Sequence, residues 1–566
     1  MLTNTWIDAC VQTSIVFIIL CHTVHCQVSI FDAREATIES VQDYLFTGVN
    51  SCRDVVTAFL ARIAALNYHV NAIISLNRNA LAEADALDER LASGNGTGIL
   101  FCIPIFLKDN FDIADIPTTG GSLALAESRP SKDAPSVSAL RRAGAIILGK
   151  ANLHELALEG ISVSSLGGQT INPYDYTRTP GGSSGGCGAV IASSFCVFAT
   201  GTDTVNSLRS PASANSLFSI RPTRGLISRA GVIPVSYTQD ALGAIARTVK
   251  DVALALTVMA SVGYDANDNT TALIPASLEG SDYGFNLTPL PLSTLRFGVL
   301  TTFFNRTSSP ENDPVNIAID AYVARIRASG ATIIEITDTI YDSMRINNLY
   351  DVQRFEYRQG IENYLRDPSL KGTHPQSLDQ LFAINHVPGA TTPSEDGSFL
   401  VLPIQYSHIK TALVSSTNNE TYASVQSGIQ VLKEHLESTF STYGVDALLY
   451  PEQRNLVVPI GSPSQSGRNG ILGAITGSPV VCVPAGFSNA TSTAPVGVPI
   501  GMEILGRPWT EQHLLNIARG LEYELGKVRR APAWADVIVE TSNVTGVPLI
   551  TPDTSNIPTA YPLGVL

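Results

Sequence analysis

The sequence is poor in the features that mark nucleic-acid-binding proteins. Its 36 Lys and Arg stand against 50 Asp and Glu, which gives a formal net charge of −14, and no long run of basic residues occurs. Because a nucleic-acid surface needs a concentrated positive field, we expect no nucleic-acid partner. The 566 residues are enough to bury a large core, so no metal or dense disulfide framework is needed for stability.

Cysteine is also scarce, and the eight cysteines form no C-x-x-C pair and no metal-binding spacing with histidine. Cys10, Cys21 and Cys26 lie in an apolar N-terminal segment. The others are scattered, at Cys52, Cys102, Cys187, Cys196 and Cys482. This pattern predicts no zinc site, at most one or two disulfides and at least one free thiol. We expect an enzyme or binding protein that needs neither a metal nor a cofactor.

The N-terminal segment is apolar from Ile15 to Leu20, which is too short for a membrane span. With Val24 and Cys26 before the cut, residues 1–26 fit a signal peptide, although no basic residue precedes the apolar run. An uncleaved anchor or an unprocessed tail is the alternative. Seven Asn-x-Ser/Thr sequons predict a secreted glycoprotein: Asn95, Asn269, Asn286, Asn305, Asn419, Asn489 and Asn543.

Helical patterns followed closely by short apolar strands recur along the chain and indicate an α/β fold. The helix pattern of Val137–Ala143 precedes the strand pattern of Ala145–Leu148, and a helix that opens at Asp313 precedes Thr332–Ile336. We predict a single domain over residues 27–530. Its more polar, helical region at about 341–434 is either a cap over the substrate opening or a scaffold cluster. Residues 531–566 are rich in Pro and Thr and predict an extended C-terminal tail.

The apolar run Ile99–Leu107 has the length of a buried strand and ends at Lys108. Low-dielectric surroundings would lower the pKa of this lysine and let it act as a base toward a serine. The alternative is a surface lysine paired with the adjacent Asp109.

Two serine-bearing turns lie between Gly181 and Arg209. The first satisfies the G-x-S-x-G pattern of α/β-hydrolases around both Ser183 and Ser184. A polar, proline-bracketed loop precedes it where the pattern requires a strand. No later histidine has a setting that marks it as a base: His374, His386, His408, His435 and His513. A Ser-His-Asp site is therefore disfavoured.

Several motifs occur together in a distinctive order. Lys108-Asp-Asn is followed by Lys150-Ala-Asn-Leu-His-Glu155, Arg178-Thr-Pro-Gly-Gly-Ser-Ser-Gly-Gly186, Gly201-Thr-Asp-Thr with Ser207-Leu-Arg-Ser-Pro-Ala212, and Arg221-Pro-Thr-Arg-Gly225. In order and spacing the chain resembles the amidase signature family over roughly residues 35–530, including fungal-type secreted amidases and the A subunit of glutamyl-tRNA amidotransferase. The resemblance implies a central mixed β-sheet with helices on both faces.

The resemblance also implies roles for individual residues. Ser207 would be the acyl-accepting nucleophile, Ser183 the intermediate serine on a cis peptide bond, and Lys108 the base. Ser183 and the backbone N–H groups of Thr204, Val205, Asn206 and Ser207 would bind the substrate and form the oxyanion hole. Ser184 would be a turn residue, and Asp203 and Arg209 would brace the loop.

The chain departs from the family pattern at two places. Val205-Asn206 stands where most members have Gly-Gly, so side chains there could restrict the approach of the acyl group, and Gly243-Ala244 replaces Gly-Pro. We expect a hydrolase of small-molecule or peptide amides that uses a Ser-Ser-Lys triad. The alternatives are the glutaminase subunit of a tRNA-dependent amidotransferase and an inactive binding protein with the same fold.

Overall fold

A large β-sheet organises the protein. The computed structural model describes residues 31–46, 50–94, 97–384, 403–542 and 544–558. The predicted signal peptide, Asn95, His386 and Asn543 lie outside these residues. Within them, eleven strands form one sheet in the order β1-β4-β2-β7-β9-β8-β14-β15-β13-β10-β11. Two pairs of two-residue strands, β12 with β3 and β5 with β6, lie apart from it.

The strands of the described chain are β1 Ile73–Leu76, β2 Pro104–Lys108, β3 Arg129–Pro130, β4 Ile146–Ala151, β5 Val163–Ser164, β6 Gly168–Gln169, β7 Phe198–Asp203, β8 Phe218–Arg221, β9 Ala241–Ala246, β10 Arg296–Leu300, β11 Thr332–Ile336, β12 Leu370–Lys371, β13 Ala447–Pro451, β14 Val480–Phe487 and β15 Pro499–Leu505. The helices are α1 Ile38–Leu45, α2 Cys52–Leu66, α3 Ala80–Ala92, α4 Pro135–Arg142, α5 Gly185–Ala192, α6 Arg209–Ala214, α7 Val249–Ala260, α8 Asp313–Ala328, α9 Ser343–Tyr350, α10 Gln353–Leu365, α11 Leu378–Ile384, α12 Pro403–Leu413, α13 Glu420–Tyr443, α14 Ile471–Thr476 and α15 Glu511–Glu524.

The main sheet is mixed. β2 runs parallel to its neighbours β4 and β7, and β10 runs parallel to β11 and β13. The strands between these groups pair antiparallel. Because β2 and β7 are parallel neighbours, the residues that follow their carboxyl ends meet at one edge of the sheet. This edge carries the candidate site.

Helices cover both faces of the sheet, as the alternation along β13 shows. Ala447 and Leu449 belong to the core that includes α8 and α15, whereas Leu448 and Tyr450 belong to the core formed with α9, α13 and α14. Successive residues of a strand point to opposite faces, so these two cores lie on opposite sides of the sheet. The predicted α/β class with a mixed, doubly covered sheet is confirmed.

The strand predicted at Ile99–Leu107 is shorter at its start and includes Lys108. Residues before Pro104 form turns, in which the Cys102 N–H bonds the Gly144 carbonyl at 2.8 Å and Cys102 has a φ of 61°. Cys102 is also bonded to Cys52 in a disulfide. An apolar run therefore does not guarantee a strand where the backbone is tied to a neighbouring turn.

The cysteine prediction agrees with the structure. One disulfide joins Cys52 and Cys102, and three cysteines in the described chain, Cys187, Cys196 and Cys482, are free and buried. Burial keeps these thiols protonated and out of reach of reagents, which is the behaviour of structural cysteines.

The described residues of the region about 341–434 are mostly helical, and the last helix, α13, continues to Tyr443. Part of it has its own core, in which Tyr357 and Ile361 of α10 pack with Tyr406 and Ile409 of α12. The same core includes Leu153, two residues after β4. The helical region therefore lies against the segment that follows β4.

The tail packs against the body of the protein. Apart from two short 3₁₀ turns, its described residues lack helix and strand. Arg62 donates to the Ala535 carbonyl at 2.7 Å, and the Asp553 N–H donates to the side chain of Asn71 at 3.0 Å. In the described part of the chain no helix is long and apolar enough to cross a bilayer.

Candidate active site

Lys108 is the last residue of β2 and is fully buried. Its Nζ lies 2.7 Å from Ser183 Oγ and 2.7 Å from Thr202 Oγ1. Asn110 donates to the same threonine hydroxyl at 3.1 Å. The amine is therefore surrounded by hydroxyl groups, at the edge of the sheet where β2 and β7 end.

Burial lowers the pKa of Lys108 to about 7. Desolvation disfavours the charged ammonium, and the hydroxyls of Ser183 and Thr202 carry no charge that would restore it. Neutral lysine is therefore accessible near pH 7, as a base toward a serine requires.

The alternative of a surface Lys108 paired with Asp109 is wrong. Asp109 is itself buried, and it pairs with Lys150 of β4 at 3.0 Å. It also accepts a hydrogen bond from the Thr119 hydroxyl. Because successive side chains alternate along the chain, Asp109 is directed away from the amine that precedes it in sequence.

Ser183 lies just before α5, and the peptide bond between Gly182 and Ser183 is cis, as the resemblance implies. Ser162 holds the turn: its hydroxyl donates to the Gly181 carbonyl at 2.7 Å and accepts from the Gly185 N–H at 3.0 Å. A Cβ at Gly182 would lie 2.7 Å from the Ser162 hydroxyl. The glycines of this turn are therefore required by close packing.

Ser207 lies on the loop that leaves β7, and only 7% of its surface is exposed. The Ser184 N–H donates to the Ser207 carbonyl at 3.2 Å, which joins the two serine-bearing turns. Among the described residues, no protein acceptor takes the four consecutive N–H groups of Thr204 to Ser207. Buried backbone donors are normally paired, so these four are available to a bound oxygen.

A buried ionic network lies beneath this loop. The Asp203 carboxylate accepts from the Leu208 N–H at 3.0 Å, from Arg209 Nη2 at 2.9 Å and from Arg221 Nη1 at 2.9 Å. Although burial acts to raise it, the two arginines lower the pKa of Asp203 to about 2. Arg209 also binds Glu503 at 2.7 Å and the Gly470 carbonyl at 3.0 Å. Asp203 and Arg209 thus sit where bracing residues are expected.

The two residues that replace Gly-Gly face different surroundings. Asn206 is 1% exposed, and its amide donates to Glu452 at 3.0 Å. Val205 is half-buried and packs against the core of α9, α13 and α14. The expected crowding by Asn206 does not arise, because its side chain is directed into the protein.

Three of the later histidines in the described chain contact residues other than the two serines. His435 pairs with Asp338 at 2.8 Å, and His374 contacts the carbonyls of Gly372 and Leu365. His408 stacks edge-on against Tyr357. A histidine base at either serine is not supported by these positions.

Several residues that support the site escaped sequence analysis. Thr202 holds Lys108, Ser162 holds the turn of Ser183, and Glu452 holds Asn206. Thr202 lies inside a recognised motif and could have been found there. Ser162 and Glu452 carry no local signal, because only the tertiary fold brings them to the site.

A cavity of about 490 Å³ borders the site. Its wall includes Thr202, which contacts Lys108, and Thr204, which is the first residue of the loop that carries Ser207. The opposite wall comes from Val232–Val235 and from Glu356 and Tyr364 of α10. Its volume is in the range of small-molecule sites. No cluster of three His, Cys, Asp or Glu side chains able to hold a metal occurs among the described residues.

A buried lysine in contact with a serine hydroxyl, near backbone N–H donors that have no acceptor among the described residues, is an arrangement suited to acyl transfer. Comparisons with known proteins agree. The family model described as Amidase matches residues 54–515. The A subunit of glutamyl-tRNA(Gln) amidotransferase from Microcystis aeruginosa is 29% identical over 508 residues, covering 88% of this chain and 100% of that protein.

Two further relatives support the same assignment. A Schizosaccharomyces pombe protein whose name classes it as an amidase is 32% identical over 547 residues, covering 90% of this chain and 88% of that protein. The solved structure of native peptide amidase from Stenotrophomonas maltophilia superposes with a TM-score of 0.76 at 30% identity, covering 89% of this chain and 99% of that one. The chain therefore belongs to the amidase family. It is an enzyme of the class that hydrolyses amide carbon–nitrogen bonds.

Proposed function

We propose that the protein hydrolyses amides through an acyl-Ser207 intermediate, with Ser183 as proton relay and Lys108 as base. The contact of 2.7 Å between Lys108 Nζ and Ser183 Oγ carries this proposal. The lysine is fully buried, and burial lowers its pKa to about 7. A neutral amine in contact with a serine hydroxyl is a base ready to accept its proton.

The proposed proton path runs from Ser207 through Ser183 to Lys108. As Ser207 Oγ attacks the amide carbon, its proton passes to Ser183 Oγ while the Ser183 proton passes to Lys108 Nζ. The protons then return along the same path to the amide nitrogen, the C–N bond breaks and the amine leaves. Water hydrolyses the acyl-Ser207 ester through the same relay, which releases the acid and restores both serines.

The unpaired N–H groups of Thr204 to Ser207 fit the role of an oxyanion hole. The attacked carbonyl oxygen becomes negative in the tetrahedral intermediate and needs donors held in place before the reaction. The Asp203 network fixes the loop on one side, and the Asn206 contact with Glu452 fixes it on the other. Loss of one such donor typically lowers kcat by about 10²–10³-fold.

We propose small amides or peptide amides as the substrate class. The related solved structure is named as a peptide amidase. The cavity of about 490 Å³ beside Thr202 and Thr204 can hold a group of modest size next to the reactive loop.

The decisive experiment compares the wild type with Ser207→Ala on a library of peptide amides and simple amides. We expect the wild type to release ammonia or amine and to react with a fluorophosphonate at Ser207, and the variant to do neither. Ser193→Ala is the matched control, because Ser193 is buried and its hydroxyl has no partner among the described residues. Full turnover by Ser207→Ala on every substrate of the wild type would refute the proposal.

A glutaminase subunit of an amidotransferase is the second candidate, because a relative covered over its whole length bears that name. This role requires glutamine hydrolysis that depends on partner subunits. Glutaminase activity that appears only on addition of such subunits would favour it. Absence of fluorophosphonate labelling of the folded wild type would instead favour the inactive binding protein.

We also propose that the protein is a secreted glycoprotein. The disulfide of Cys52 and Cys102 suits an oxidising compartment. Of the sequons in the described chain, four have exposed asparagines and Asn305 is half-buried; the exposed ones are Asn269, Asn286, Asn419 and Asn489. Expression in a secretory host should yield a protein in the medium that begins at Gln27 and loses mass on treatment with a peptide N-glycosidase. Retention inside the cell without glycans would contradict this.

A further inference from the structure

The side chain of Asn206 connects the reactive loop to a carboxyl group in the core. Asn206 Nδ2 donates to Glu452 Oε1 at 3.0 Å, and both residues are almost completely buried. Glu452 directly follows β13. Its own N–H donates to the Gly501 carbonyl at 3.1 Å, and its carbonyl accepts from the Asn469 N–H at 3.1 Å. The backbone of Glu452 is thus fixed on two sides, so its carboxyl is a rigid anchor.

The charges of the network leave Glu452 without a cation. Arg209 and Arg221 both pair with Asp203, and Arg209 also pairs with Glu503. The two guanidinium groups balance the carboxylates of Asp203 and Glu503. Within the described chain, no cationic group lies in salt-bridge distance of the Glu452 carboxyl. A buried carboxylate without such a partner is strongly disfavoured, which favours the protonated form of Glu452. Burial, and then the nearby Glu503, raise the pKa of Glu452 well above its usual range.

The loop also has little room to move toward the core. A Cβ added to Gly470 would lie 2.5 Å from the Val205 carbonyl oxygen and 2.6 Å from Asn206 Cβ. The loop therefore rests directly on the backbone at Gly470 and is held there by the Asn206 amide. A side chain at position 206 is compatible with an open oxyanion site only because Glu452 accepts it inside the protein.

We propose that Glu452 is a positioning residue that holds the N–H groups of the reactive loop in place through Asn206. The inference rests on the proposed function and adds a residue to it. Glu452 touches neither the serines nor the substrate. Its effect passes through the Asn206 side chain to the backbone between Val205 and Ser207.

The test uses Glu452→Gln and Glu452→Leu in the full-length protein. Gln keeps a neutral group with an acceptor oxygen for Asn206, whereas Leu removes the acceptor at similar volume. We expect Glu452→Leu to lower both kcat and the rate of fluorophosphonate labelling of Ser207 by about 10–100-fold, with KM changed less than threefold. Glu452→Gln should stay within about threefold of the wild type, and melting temperatures report whether each variant is folded.

A double-mutant cycle with Asn206→Gly keeps the inference testable if Glu452→Leu does not fold. In the Asn206→Gly background, Glu452→Gln and Glu452→Leu should have no further effect on labelling, because the anchored side chain is gone. If the substitutions at positions 206 and 452 lowered the labelling rate by independent factors that multiply, the proposal would be overturned. A folded Glu452→Leu variant that labels at the wild-type rate, or a Glu452→Gln variant as slow as Glu452→Leu, would also overturn it.

These outcomes are distinct from failure of the proposed function. If the wild type is labelled at Ser207 and hydrolyses amides while Glu452→Leu matches it, only the role of Glu452 is refuted. If the wild type is folded and Ser207 is not labelled, the acyl-serine function itself is refuted.

Discussion

Two lysines with the same burial have different surroundings. Lys108 of β2 and Lys150 of β4 are both fully buried, on neighbouring parallel strands in which Leu107 is the register partner of Lys150. Lys150 pairs with Asp109 at 3.0 Å and also donates to the Phe111 carbonyl at 2.8 Å. Among the described residues, the hydrogen bonds of the Lys108 amine go to the hydroxyls of Ser183 and Thr202.

The difference shows that the partner of a buried lysine, more than its burial, decides what it can do. Lys150 pairs with a carboxylate and a backbone carbonyl, so it is suited to binding together the turns that follow β2 and β4. Neutral hydroxyls do not offset the cost of desolvation, and the charges of Asp203 and Asp240 offset only part of it, so Lys108 can exist as a free amine near pH 7. Structural and chemical lysines thus lie side by side in one sheet.

Lys108→Met should have the largest effect on activity. Without the base, amide hydrolysis should fall by at least about 10³–10⁴-fold. The melting temperature should change little, because no ion pair is lost. Activity and thermal unfolding measured on the same preparation check this. A variant with more than a tenth of wild-type activity would contradict the assigned base.

Lys150→Met should damage stability instead. It leaves the buried Asp109 carboxylate without its cation, which typically costs about 3–5 kcal/mol in the free energy of unfolding. Urea unfolding monitored by circular dichroism measures the loss. The double variant Asp109→Asn with Lys150→Met, which removes the orphaned charge, should recover part of it. Native stability of the single variant would show that Lys150 is not an essential ion-pair partner.

Thr202→Asp should make Lys108 resemble Lys150. A carboxylate next to the amine is expected to raise the pKa of the lysine by about 1–3 units. Activity at pH 7 should therefore fall about 10-fold or more and return at higher pH, which a series of kcat/KM values between pH 6 and 10 would reveal. Thr202→Asn, of similar size and without charge, is the control and should keep the wild-type midpoint. An unshifted midpoint in a folded Thr202→Asp variant would argue against Lys108 as the titrating base.

The activity of the wild type should also depend on pH. Only neutral Lys108 can accept the Ser183 proton, and its pKa is lowered to about 7 by burial. Below pH 7 the neutral fraction, and with it kcat/KM, should fall about tenfold per pH unit, whereas above pH 7 the rate should level off. Initial rates in overlapping buffers measure the profile. A rate that rises as the pH falls from 7 to 5 is incompatible with this base.

The residues predicted for the site lie in short motifs with fixed spacing. These motifs predict Lys108, Ser183 and Ser207, and the structure brings Lys108 and Ser183 into contact. The strand predicted at Thr332–Ile336 has the same limits in the structure. Partners outside the motifs could not be predicted. Asn206 and Glu452 are 246 residues apart in the chain. Asp109 pairs with Lys150 and not with the adjacent Lys108, which depends on how β2 and β4 face each other. Local patterns contain no information about such contacts.

The arrangement of the cysteines allows a test of whether the N-terminal segment has been cleaved. With Cys52 and Cys102 in a disulfide and Cys187, Cys196 and Cys482 buried, the described chain presents no reactive thiol in its native state. A maleimide added to the folded protein can therefore report only on Cys10, Cys21 and Cys26. The number of mass tags per molecule would show directly whether the first 26 residues remain attached.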